Sequence, residues 1–259
     1  MVKMLFGFLI PFFGTAIGAV CVFCIKTQIN PKLKSILNGF ASGVMIAASV
    51  WSLLIPSIER GYALGHFSFL PATAGLWIGV VFLWFSNRWI LKLQTRIHHE
   101  QMHNPTFHRT ILLVLAVVLH NIPEGMAVGA AFAGLLSGGT YTAYAAAFSL
   151  SIGIAIQNIP EGAIISMPIH AQGVKKLKAF ACGVFSGIVE PIAAVITILL
   201  STLVVPLLPY FLSFAAGAMI WVVISELIPE SASDQSEVRT AFAFCIGFTV
   251  MMALDVALG

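Results

Sequence analysis

Eight windows of apolar residues, each long enough to cross a bilayer, follow one another along the chain, near residues 4–25, 36–57, 67–86, 110–136, 142–168, 177–203, 207–229 and 241–258. A hydrocarbon core about 30 Å thick takes about 20 such residues per helical crossing. In lipid the backbone polar groups must be satisfied within the protein, which leaves helices or closed barrels, and windows of this length are helical. The expected fold is therefore an all-α membrane protein with eight transmembrane helices. These windows use most of the 259 residues, so residues 1–259 are expected to form one transmembrane domain. Composition agrees, with 59% hydrophobic and 9% charged residues against roughly 25% charged in soluble domains.

Only Lys3 precedes the first window and no small-residue cleavage pattern follows it, so that span is expected to be retained rather than removed as a secretory signal. Basic residues set the orientation, because Lys and Arg collect in cytoplasmic loops. With both termini outside, the inner loops hold Lys26, Lys32 and Lys34, then Arg88, Lys92, Arg96 and Arg109, then Lys175, Lys176 and Lys178, and last Arg239. That places eleven of the thirteen basic residues inside and leaves Lys3 and Arg60 outside. The net charge of +3 thus follows from topology. No clustered basic face exists to bind nucleic acid, and that class of partner is set aside. Cys21, Cys24, Cys182 and Cys245 lie in or beside apolar windows, where thiols pack as small hydrophobes. The Cys21–Cys24 pair has no second C-x-x-C to complete a zinc ribbon.

The most informative charges are acidic. Glu124, Glu161 and Glu190 fall near mid-window, while no Lys or Arg lies well inside any window. A charge at that depth costs about 3 kcal/mol even on a lenient insertion scale, and such groups usually line a cavity and find a partner. With no basic side chain to serve, the carboxylates are either protonated or matched by a bound cation. Two near-copies of one hexapeptide carry the first two acids: HNIPEG from His120 to Gly125 and QNIPEG from Gln157 to Gly162. Positions i and i+4 share a helix face, so His120, Asn121 and Glu124 can converge, as can Gln157, Asn158 and Glu161. Imidazole, amide oxygen and carboxylate together form a mixed nitrogen and oxygen ligand set. Pro123 and Pro160 cannot donate to the carbonyls of Leu119 and Ile156, and Gly125 and Gly162 admit neighbouring backbone. A plain kinked-helix reading remains the alternative. The two helices are successive and antiparallel, so the copies form an inverted pair with a site at its interface, the arrangement of alternating-access transporters.

A paired HNxPEG and Q/HNxPEG on the fourth and fifth of eight spans resembles the ZIP (Zrt-, Irt-like) family of divalent metal transporters, its GufA-like branch in particular. The resemblance implies a 3+2+3 bundle, with spans one to three and six to eight related by pseudo-symmetry around spans four and five. It implies transport of zinc, iron, manganese or cadmium toward the cytoplasm as substrate, with no cofactor, and a homodimer in a cell membrane. Carried over by position, one metal would be held by His120, Glu124, Gln157 and Glu161 with Met45. The other would be held by Asn121, Glu124, Asn158, Glu161 and Glu190, with Glu124 and Glu161 bridging. Gln157 departs from a histidine found in many relatives, and Ser225 stands where some have another histidine.

Other features bear two readings each. The stretch from His98 to His108, within an expected inner loop over 87–109, holds four of the seven histidines. It would collect metal or act as a polar linker. Glu226 and Glu230 could pass ions from the site or simply sit at the interface, and Glu59 and Asp255 invite no role. A thioether at Met45 suits softer ions but also packing. Two rival functions are an intramembrane metal-dependent hydrolase, disfavoured by the lack of H-E-x-x-H, and a proton-coupled carrier of an organic solute.

Overall fold

Leu, Ile, Val, Phe and Ala fill the apolar windows, and in lipid even the β-branched members go helical because no other partner for the backbone is at hand. The computed structural model describes residues 2–24, 30–99, 105–136, 141–231 and 237–258, and among these no strand occurs. Eight helical stretches are long and apolar enough to cross a membrane: span one Phe6–Cys24, two Pro31–Arg60, three Leu64–Leu93, four Thr110–Leu135, five Ala143–Ala171, six Lys176–Leu199, seven Leu208–Ser231 and eight Glu237–Leu258. Large apolar side chains such as Trp77, Phe85, Leu177, Phe185 and Phe242 are exposed on the outside of the bundle, as a lipid-facing surface requires.

Much of the loop expected over 87–109 is helix instead. One helix continues through Phe69–His99 and the next begins at Pro105. Arg88, Lys92 and Gln94 are good helix formers, and proline suits a first helical turn. His103 and its neighbours over 100–104 lie outside the described residues.

Packing follows an inverted repeat. Span one packs mainly on span five and span four on span six, while span two packs mainly on span eight and span three on span seven. Exchanging spans one to three with six to eight, and four with five, turns each of these pairs into another member of the set. Close backbone approach obeys the same exchange. In the two–eight pair, Gly43 faces the Phe244 carbonyl and Gly247 that of Phe40. In the seven–three pair, Gly217 faces the Leu76 carbonyl and Gly79 that of Phe214. The result is two groups of four helices, one, four, five and six against two, three, seven and eight, which meet where span two lies on span five and span seven on span four. Met45, Leu53, Leu83, Phe132, Leu150, Ile154 and Met251 form the core between them.

A second repeated motif emerges from the fold. Ser52-Leu53-Leu54-Ile55-Pro56 and Ser225-Glu226-Leu227-Ile228-Pro229 occupy matching places in spans two and seven. Each coincides with a wide π-turn, Ser49–Leu54 and Val223–Leu227, just before the proline. Proline lacks the N–H for the ordinary bond and crowds the carbonyl four residues back; a locally widened turn accommodates it. Pro123 and Pro160, by contrast, lie within helices assigned as α throughout, Pro105–Leu136 and Tyr141–Ala171.

Candidate metal centre

The two hexapeptides lie on spans four and five, and the glycine that ends each one determines what comes near. A methyl group on Gly125 would strike the Glu190 carbonyl, and one on Gly162 would strike the Thr15 carbonyl. Small residues at helix contacts let backbones approach this closely in membranes. Span six is thereby seated on HNIPEG at Glu190, and span one on QNIPEG at Thr15. These are equivalent places in the inverted repeat, filled by a carboxylate in one half and a hydroxyl in the other.

His120, Asn121, Glu124, Gln157, Asn158 and Glu190 are all buried, and Glu161 is partly so. The Glu190 carboxylate gathers donors from three helices. Its Oε1 accepts from Asn121 Nδ2 at 3.0 Å and Thr15 Oγ1 at 3.2 Å, and its Oε2 from Asn158 Nδ2 at 2.9 Å. Asn121 Nδ2 also reaches the Ser186 carbonyl at 3.2 Å, and Asn158 Nδ2 that of Pro11 at 3.4 Å. Gln157 Nε2 donates to Glu124 Oε1 at 2.8 Å. A carboxylate only accepts, so each amide must turn its nitrogen toward it. The amide oxygen then points elsewhere.

Those oxygens are left without hydrogen-bond partners. Asn121 Oδ1, Glu124 Oε2, Gln157 Oε1, Asn158 Oδ1 and Glu161 Oε2 are buried and unsatisfied, and with His120 Nε2 they make six of the ten such side-chain atoms among the described residues. A buried acceptor without a donor costs roughly 1–3 kcal/mol, more when charged. That concentration in two hexapeptides leaves buried acceptors that a positive charge could satisfy. Among the described residues, the only ion pairs are Lys34 with Glu230 and His120 with Glu226, so no Lys or Arg meets Glu124, Glu161 or Glu190.

Electrostatic neighbours extend the site toward the end of the bundle that carries the basic residues. Glu124 lies near Glu161 and Glu190, and Glu161 in turn lies near His120 and Glu226. His120 Nε2 stands 3.2 Å from Glu226 Oε1, near enough for an ion pair but without the alignment of a hydrogen bond. Asn87 Nδ2 donates to the same Glu226 oxygen at 2.8 Å. At the opposite end, Asp255 Oδ1 accepts from Ser52 Oγ at 2.8 Å and Ser149 Oγ at 3.4 Å. Glu230 takes no part in this row: it is tied to Lys34 and to Asn38 Nδ2.

Seven of the eight residues singled out in the sequence thus gather around one place. Met45 is buried in the cluster between the helix groups. Thr15 and Asn87 escaped the sequence reading, since a threonine or asparagine in an apolar helix carries no distinctive local pattern. Only comparison of span one with span six in the inverted repeat singles out Thr15. Among the described residues, no three His, Cys, Asp or Glu side chains cluster tightly enough to chelate an ion by themselves. Amide groups stand between the carboxylates, with Gln157 on Glu124 and Asn121 and Asn158 on Glu190.

Comparison with known proteins gives a consistent picture. The family model described as ZIP zinc transporter matches residues 91–255. Zinc transporter ZIP11 of Xenopus tropicalis is 33% identical, over 100% of this chain and 98% of its own. Zinc transporter ZIPB of Bordetella bronchiseptica is 33% identical over 96% of this chain and 79% of its own. Zinc transporter GufA of Myxococcus xanthus is 31% identical over 95% of each.

Proposed function

The chain belongs to the ZIP family, and on that footing we propose that it moves zinc, or a closely related divalent ion, into the cytoplasm through a two-ion site between spans four and five. It is a multi-pass membrane protein of divalent metal transport, and the proposed location is the cell membrane. The observation that carries it is the set of five buried, unpartnered oxygens on Asn121, Glu124, Gln157, Asn158 and Glu161. One ion is assigned to His120, Glu124, Gln157 and Glu161, and the other to Asn121, Glu124, Asn158, Glu161 and Glu190. Met45, buried on span two, is assigned to the first ion as well.

The chemistry suits a cargo that must leave again. Carboxylate and amide oxygen with one imidazole form a harder, weaker set for zinc than thiolate or several histidines. The amide NH₂ groups on Glu124 and Glu190 act as a partial counter-charge, and rotation of an amide exchanges its donor for its oxygen. With the basic loops inside, ions depart past Glu161, His120 and Glu226. The opposing end, with Asp255, Ser52 and Ser149, is the outer approach. Glu124→Gln and Glu161→Gln should each reduce uptake of radioactive zinc into proteoliposomes to background at equal protein content. Undiminished uptake by both variants would refute the assignment.

A further inference from the structure

Spans four and six touch backbone to backbone at one level and stand apart at another. A methyl group at Gly125 or Gly129 would meet the Glu190 or Ala194 backbone. Toward the basic end, the same two helices leave a groove of about 660 Å³ between them. Val114, Leu115 and Val118 line it from span four, spaced i, i+1 and i+4, with Cys182 facing them from span six. Lys175 and Lys178 also line it, and both are exposed at the start of span six. Lys176, between them, turns away and donates from Nζ to the Phe23 carbonyl at 3.1 Å. Among the described residues neither Lys175 nor Lys178 has an acidic partner.

We propose that this groove is a binding site for an anionic phospholipid, its phosphodiester held by Lys175 and Lys178 and an acyl chain laid along Val114, Leu115 and Val118. Charge and shape select the occupant together. Two ammonium groups without an acidic partner among the described residues, at the water–lipid boundary, attract an anionic headgroup. An apolar trough running from Thr110 to Val118 is roughly 12 Å long at the rise of an α-helix. A soluble phosphate would leave that trough empty, whereas a lipid brings both parts. Val118 is two residues before His120, so the acyl chain would brace the helix that carries half of the metal site. The inference rests on the membrane-spanning fold and not on the transported ion.

Native mass spectrometry of the detergent-purified chain, offered equal amounts of phosphatidylglycerol and phosphatidylcholine, tests it. Wild-type protein should retain the anionic lipid about tenfold in excess, and the paired substitution Lys175→Gln with Lys178→Gln should abolish that preference. Leu115→Trp, which fills the trough and leaves both lysines in place, should also abolish it. Equal retention of the two lipids by the wild type would overturn the proposal. So would a preference that survives the lysine substitutions. Survival in Leu115→Trp alone would reduce the site to surface attraction and overturn the proposal as well.

Discussion

The two halves of the centre share a backbone and differ in charge. HNIPEG and QNIPEG each end in a glycine pressed against a neighbouring helix, but that neighbour presents Glu190 in one half and Thr15 in the other. The hydroxyl is also bonded to the carboxylate, with Thr15 donating to Glu190 at 3.2 Å. The repeat therefore supplies a symmetric frame, and two differences across it, Glu190 against Thr15 and His120 against Gln157, make the site lopsided. On the proposed assignment, the ion held by Asn121, Glu124, Asn158, Glu161 and Glu190 would meet one more carboxylate than the ion held beside His120 and Gln157.

Making the halves alike is the strongest way to break that account. Glu190→Thr, which gives span six the residue type of span one, removes a buried charge and three charge-assisted bonds, and should weaken zinc binding by roughly a hundredfold. Equilibrium dialysis should find the number of bound ions per chain falling from two to one; an unchanged count would mean that the asymmetry carries no weight. The shared frame is tested next. Gly125→Ala and Gly162→Ala each drive a methyl group into a backbone carbonyl, and each should cost about 1–3 kcal/mol as overpacking. Thermal unfolding in detergent should show two comparable losses, and a loss in only one half would contradict equivalent helix crossings.

Smaller effects sharpen the difference. Thr15→Val keeps the volume and removes the donor to Glu190; about 1.5 kcal/mol, or tenfold in zinc affinity, should be lost, with Thr15→Ser restoring most of it. The paired Ser-x-Leu-Ile-Pro segments offer the mildest contrast. Ser52 donates to Asp255, whereas Ser225 is exposed and makes no hydrogen bond among the described residues. Ser52→Ala should therefore cost about 1 kcal/mol of stability, and Ser225→Ala should fall within error of the wild type.

The spans were legible because twenty apolar residues in a row have few alternatives in a bilayer, and the acids were legible because lipid leaves them without a partner. The ligand faces followed from helical spacing, which brings His120, Asn121 and Glu124 together, and likewise Gln157, Asn158 and Glu161. The segment over 87–109, expected as an inner loop, is helical up to His99 and again from Pro105, because polar residues that end a membrane span need not end a helix. The π-turns before Pro56 and Pro229 were missed because the sequence says only that proline disturbs a helix. It does not say whether the helix widens into a π-turn, as before Pro56 and Pro229, or stays α, as at Pro123.

By itself, then, the chain's order of residues determined eight crossings, an inverted pair of hexapeptides and a deficit of positive charge between them, because each depends on neighbours within one or two helical turns. Tertiary structure decided that Asn121 and Asn158 turn their nitrogens to Glu190, that Thr15 faces Glu190 across the repeat, and that His120 leads on to Glu226. Those contacts join residues on different helices. Their geometry depends on how closely backbones can approach, and that is settled only when glycines on one helix meet carbonyls on the next.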